Sequence, residues 1–244
     1  HSGKKKNINF NKKDYPNFKK KIIHLIIENE PFDLVKSDKN ISTYDLRVNS
    51  VKRIKAQRNY IKTALQEFSP EDYIIYSDND EIPNLENFNF LKNKGKIVIF
   101  EQKLFYYKFN LLMPNVNWYG SKACKLKDLE NIDWLRNIKN KKYNFFRLDT
   151  LFSNFKYQNV NIVKKGGWHF SNLKNLEELQ RKYLNDENHS EFESQNISKE
   201  KIKEHLKNKT VGYNHLAKKN SKDRFNSMEL IKVDKVILPE FIQK

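Results

Sequence analysis

The run Asp72-Tyr73-Ile74-Ile75-Tyr76, followed at once by Ser77-Asp78-Asn79-Asp80-Glu81-Ile82-Pro83, constrains the fold of this chain more than any other stretch. Isoleucines flanked by tyrosines favour a pleated strand, and a short apolar run bounded by turn residues has the length of a strand buried on both faces. This strand ends in carboxylates. In an extended backbone the side chains at i and i+2 point the same way, so Asp78 and Asp80 face one site and Asn79 the other.

Similar runs recur. Lys21–Ile27 reads as a central parallel strand, Lys96–Phe100 as a third strand, and Leu104–Phe109 as a fourth. From Asn49 to Phe68, residues Val51, Ile54, Ile61, Leu65 and Phe68 share one helix face, and Pro70 stands where a stop is expected. A further helix is expected from Asn84 to about Lys92. Strand alternating with helix gives an α/β fold, with a largely parallel central sheet flanked by helices. Ligands bind such sheets outside the carboxyl ends of the strands, where Asp78–Glu81 lies.

Past Trp118 the pattern loosens. Trp134-Leu135 fits a short helix, and the Lys/Asn-rich stretch from Asn137 to Tyr143 a surface loop. Order returns at Gly166-Gly167-Trp168-His169-Phe170-Ser171. A helix carrying Leu176, Leu179 and Tyr183 on one face follows, then another from Ser198 to Lys207. No break in composition marks a boundary, so a single domain over residues 1–244 is expected.

Composition narrows the class. With 38% hydrophobic residues and only 6 Gly and 6 Pro among 244, the chain is neither collagenous nor disordered. No apolar run reaches the roughly 18 residues of a membrane span, and the sole cysteine, Cys124, excludes intrachain disulfides and a cysteine-built zinc site. Lys and Arg outnumber Asp and Glu by 47 to 30, a formal charge of +17. Such a chain attracts polyanions: nucleic acid, anionic lipid or phosphorylated substrates. Solvated lysines in a Lys/Asn/Ile-biased composition explain the same number. A cytoplasmic protein is expected, with peripheral membrane contact as an option its basic face permits.

Two carboxylates at a strand end make a hard oxygen site for Mg²⁺ or Mn²⁺ that keeps positions open for diphosphate oxygens. The same residues also make an acidic turn that caps the next helix. At Gly166-Gly167-Trp168-His169, the glycines permit close backbone approach and the imidazole suits a cation or a phosphate, or simply a structural hydrogen bond. His189-Ser190-Glu191-Phe192 sets a carboxylate beside an imidazole, a pairing suited to acid–base work. Arg53, Gln57 and Arg58 sit within about a turn and a half of one helix, where the arginines suit a nucleotide phosphate, the acidic loop or plain solvent.

In chain order, Ser2-Gly3-Lys4, Gln57-Arg58-Asn59, Asp72 to Pro83, Tyr106-Tyr107, Trp118-Tyr119-Gly120, Gly167-Trp168-His169-Phe170-Ser171 and Leu238-Pro239 resemble glycosyltransferase family 17, the β-1,4-mannosyl-glycoprotein N-acetylglucosaminyltransferase family. The resemblance runs over nearly the whole chain. It implies a GT-A type nucleotide-sugar-binding fold, UDP-GlcNAc as donor, Mn²⁺ or Mg²⁺, a saccharide or glycoconjugate acceptor, and inversion at the anomeric carbon. It also implies that Asp78 and Asp80 meet metal and diphosphate beside Glu81 and that His169 is a further metal or phosphate contact; Lys4, Arg53 and Arg58 are the basic residues expected to hold the donor with Asp78. Inversion needs a carboxylate to deprotonate the acceptor hydroxyl; Glu191 and Asp133 are the candidates, with Glu101 behind them. Family members carry a strand and helix before the Ser-Gly-Lys element, which this chain is expected to lack. Phe170 and Asn172 stand where the animal enzymes have Cys and Trp. The competing expectations are a basic nucleic-acid-binding protein, on charge and aromatics alone, and a metal-dependent phosphoryl-transfer enzyme using the same carboxylates. The leading reading needs no specific nucleic acid.

Overall fold

The structure is a computed structural model that describes residues 8, 10–36, 41–184, 198–217 and 221–243. The chain divides into two compact units. The first comprises residues 1–68, 131–133 and 182–196, the second residues 69–130, 134–181 and 197–244.

In the first unit, helix α1 (Thr43–Tyr60) continues into a 3₁₀ turn at Ile61–Ala64. It starts before the expected Asn49 because Ser42 caps it: the Ser42 hydroxyl accepts the Asp45 N–H at 3.1 Å and donates to the Asp45 carboxylate at 2.6 Å. The expected apolar face forms only in part: Ile54, Ile61 and Leu65 are half-buried, Val51 and Phe68 are exposed, and the fully buried positions are Asn49 and Ser50. Asn49 faces inward to hold a loop, accepting the Val35 N–H (2.8 Å) and donating to the Val35 carbonyl (2.9 Å). Lys21–Ile27 is not the central strand its residues suggest. Pro16–Lys21 is a 3₁₀ helix, and the residues after it carry no ladder, leaving Ile23, Ile26 and Ile27 exposed. A buried parallel strand needs a neighbour at each edge, and every described strand lies in the second unit.

The second unit contains two mixed sheets. One has the order β1 (Tyr73–Tyr76), β6 (Lys122–Lys125), β3 (Ile97–Phe100), β7 (Val160–Val163). The other runs β11 (Ile231–Lys232), β5 (Leu111–Trp118), β4 (Gln102–Tyr106), β8 (Gly167–Ser171), β2 (Glu81–Pro83). Strands β9 (Thr210–Val211) and β10 (Met228–Glu229) form a separate pair. The α/β class holds, but the expected largely parallel sheet does not: among the described residues only β3–β7 and β4–β8 are parallel. Parallel neighbours need a crossover of roughly a dozen residues. Here β4 turns back into β5 through a short connection and pairs with it as an antiparallel neighbour, and β6, after another short turn, enters the other sheet antiparallel to β3 and β1. The helix expected over Asn84–Lys92 is instead two 3₁₀ turns, Leu85–Asn87 and Phe90–Lys92. The Asn84 and Asn89 side chains each accept a backbone N–H from the turn that follows, which restarts the chain twice and forestalls a continuous helix.

One parallel pair runs through both sheets. Strand β3 passes into β4 across Glu101, whose N–H donates to the Val163 carbonyl (3.0 Å) and whose carbonyl accepts the Gly166 N–H (2.7 Å). Ile97–Phe100 are fully buried. Val98, Phe100, Ala123 and Val163 pack with Tyr73 and Phe88, while Phe105, Phe170 and Leu238 pack with Ile82 and Trp168.

The short helices expected from apolar spacing are present: α2 (Ile132–Asn137), α3 (Leu176–Leu184) and α4 (Lys199–Asn208). Lys122, buried on β6, donates from Nζ to the carbonyls of Arg136 (2.8 Å) and Ile138 (2.5 Å), satisfying the end of α2. Burial, reinforced by the Arg136 charge, pushes its amine down to about 7. Among the described residues, no helix is long and apolar enough to cross a membrane.

Candidate active site

Strand β1 ends at Tyr76, and the chain turns through Ser77–Asp80 into β2. The acidic cluster therefore bridges the two sheets, because β1 belongs to one and β2 to the other. Pairing of β2 with β8 sets Glu81 opposite His169, Ile82 opposite Trp168 and Pro83 opposite Gly167. Gly167 lies at φ +134° with the Ile82 carbonyl where a Cβ would stand, so only glycine lets the strands approach here.

Each carboxylate of the cluster has a distinct setting. Asp78 accepts the Tyr76 hydroxyl at 2.6 Å on Oδ1 and the Arg136 Nε at 3.1 Å on Oδ2. Glu81 is buried; its Oε1 accepts the Trp118 indole N–H at 2.7 Å, its Oε2 accepts the Asp78 N–H at 3.1 Å, and Arg136 Nη2 lies 3.8 Å from Oε1. Glu81 thus acts as the strut that shapes the turn. Asp80 is anchored through its carbonyl, which accepts the Phe170 N–H at 2.8 Å, and its Oδ2 lies 3.3 Å from His169 Nε2.

His169 is buried, its ring 4.5 Å from that of Trp118, and its Nδ1 is buried without a hydrogen-bond partner among the described residues. His215 stands close by. Its Nε2 is 2.7 Å from the Tyr106 hydroxyl, and its ring meets Tyr213 edge-on at 4.9 Å. Burial, with His169 near it, pushes His215 down to about 4, so it is neutral at pH 7. Burial raises Tyr106 well above the usual phenol range.

These settings decide how a divalent cation would fit. The oxygens of Asp78 and Glu81 face Arg136, Tyr76 and Trp118, donors that already neutralise and orient them. Asp80 and His169 supply the oxygen and nitrogen that suit Mn²⁺ or Mg²⁺. Among the described residues, no group of three or more His, Cys, Asp and Glu is placed to hold a metal alone. Two protein ligands completed by diphosphate and water are within the habit of Mg²⁺, so the pair fits a cation delivered with its substrate.

The other expected residues lie elsewhere. Lys4 and Glu191, with His189 beside it, fall outside the described residues. Arg53 pairs with Glu30 through Nε at 2.9 Å and Nη2 at 3.1 Å, and Arg58 Nη1 lies 3.3 Å from Asp133, whose N–H donates to Asn59 at 3.0 Å. All of these belong to the first unit, whereas Asp78, Asp80, Glu81 and His169 belong to the second. Glu101 accepts from the Tyr119 hydroxyl (2.7 Å) and from Lys164 Nζ (2.6 Å). Sequence reasoning did not assign roles to Arg136, Trp118, Tyr106 or His215. Of these, Tyr106 and Trp118 left local signals, in the pairs Tyr106-Tyr107 and Trp118-Tyr119, whereas Arg136 and His215 left none. No family model, curated protein or solved structure matches this chain.

Proposed function

We propose that the chain is a metal-assisted inverting glycosyltransferase that moves a sugar, GlcNAc from UDP-GlcNAc, to a saccharide acceptor through a GT-A type donor site. The observation that carries this reading is the pairing of Asp80 with His169 at 3.3 Å, which joins the two motifs on which the resemblance to glycosyltransferase family 17 rests. Asp80 and His169 would hold Mn²⁺ or Mg²⁺, which supplies Lewis-acid neutralisation of the diphosphate leaving group. Arg136 and Tyr76 fix Asp78, and Glu81 holds the turn rigid, so the acidic face is set before donor binds. The acceptor proton goes to a carboxylate, for which Glu191 remains the candidate. Asp133 is engaged by Arg58.

The test is turnover of a panel of UDP-sugars with Mn²⁺, read by mass spectrometry with several saccharide acceptors. Asp80→Ala and His169→Ala are expected to lose at least about 100-fold in transfer and the thermal upshift given by Mn²⁺ with UDP. Glu71→Ala, on a surface ion pair with Lys125 and Lys127, should keep both. Transfer undiminished in Asp80→Ala removes the metal assignment.

A further inference from the structure

Residues 139–157 of the second unit fold inside out. Phe145, Phe146, Leu148, Leu151 and Phe152 are 78%, 84%, 68%, 73% and 90% exposed, while Thr150 in their midst is buried. Exposed apolar side chains at this density mark an interaction surface. The backbone beneath them is tied down. A 3₁₀ turn spans Leu148–Thr150, the Thr150 hydroxyl donates to the Arg147 carbonyl at 2.7 Å, and Gln158 donates to Thr150 at 2.9 Å and to the Phe145 carbonyl at 3.2 Å. At the base, the Lys139 N–H reaches the Phe155 carbonyl at 2.8 Å, and Trp134 reaches the Asn154 carbonyl at 2.8 Å. The loop spends its polar groups on its own frame and presents its large apolar ones outward.

Charge chooses the occupant. Asp149 neutralises Arg147 and Lys156, at 2.7 and 2.8 Å, which leaves exposed Lys139, Lys141 and Lys142 beside the apolar residues. Protein–protein interface cores are depleted in lysine, whereas aromatic and leucine side chains bordered by lysines suit the headgroup layer of an anionic membrane. The chain's charge of +17 has the matching sign. We propose that this loop docks the protein on anionic lipid bilayers, inserting Phe145, Phe146, Leu148, Leu151 and Phe152 below the phosphates that Lys139, Lys141 and Lys142 meet. The inference is independent of the proposed transferase chemistry.

The experiment is cosedimentation of the full chain with vesicles of phosphatidylglycerol mixed with phosphatidylcholine, against phosphatidylcholine alone, over a salt series. Binding to the mixed vesicles that weakens with salt is expected, with a loss of roughly tenfold or more in Phe146→Ser/Phe152→Ser and in Lys141→Glu/Lys142→Glu. Both variants should keep the wild-type circular dichroism, and any turnover of soluble donor and acceptor should be unchanged. Equal binding to both vesicle types without salt dependence overturns the proposal, as does an apolar variant that binds like wild type. A wild-type dimer that ignores vesicles and dissociates in Phe146→Ser/Phe152→Ser overturns it in favour of a second copy of the chain.

Discussion

Gly120 is required by the carboxylate it faces: a Cβ there would land on the Glu81 carboxylate. Gly120→Ala must push Glu81 off the Trp118 indole and away from Arg136. Overpacking of this kind costs about 1–3 kcal/mol. We expect that loss in urea unfolding, together with a fall in the metal-dependent turnover proposed for this site. Wild-type values for both would mean that Glu81 has room to move. At this scale, Asp78, Asp80 and His169 could be picked out because their motifs are local. Arg136 and His215 could not, since each reaches its partner from a segment whose own pattern records only a helix turn or a loop. Arg53 and Arg58 show the converse. Their type suits a phosphate, yet nearby acids of their own unit engage them.

Lys122 couples an element to pH. The unfolded chain keeps this amine protonated up to about 10.4, whereas the fold holds it at about 7 by burial. Between those values the unfolded state binds more protons, so the stability this group contributes rises with pH across the window. Unfolding free energy measured from about pH 7 to about pH 10 should therefore climb in wild type relative to Lys122→Met; parallel curves would show that the amine titrates normally in the fold. Among elements, β1 and β3 were legible because their β-branched runs are short and bounded by turn residues, although only β3 is buried throughout, and α3 and α4 because their apolar spacing is helical. Lys21–Ile27 has the same composition as a buried strand and lacks a neighbour to pair with, a circumstance that no local pattern encodes. In Asn84–Lys92, side-chain capping by two asparagines overrode helical spacing.

The two units of the molecule differ in what they bury. Among its described residues the first unit contributes only Ile132 to the buried hydrophobic set, while the second carries the rest, from Tyr76 to Leu238. Local stability should follow. In hydrogen exchange, the amides of residues 22–27 are expected to exchange early and those of Ile97–Phe100 last. Equal protection in the two segments would contradict this ordering. The α/β class was visible at this scale, but strand direction was not, because direction depends on which distant strand slides between two neighbours.

The continuous pair formed by β3–β4 and β7–β8 also sets an order of assembly. The turn joining β4 to β5 closes locally, whereas Ile97 must find Val160 and Lys103 must find Trp168 across a long stretch of chain. Non-local parallel pairing is the slow kind, since loop-closure entropy is lost before contacts return it. Because His169 sits on β8, the acidic turn gains its imidazole only when that pairing completes. A chain emerging from the ribosome therefore carries the carboxylates well before it carries the strand that sets His169 beside Asp80.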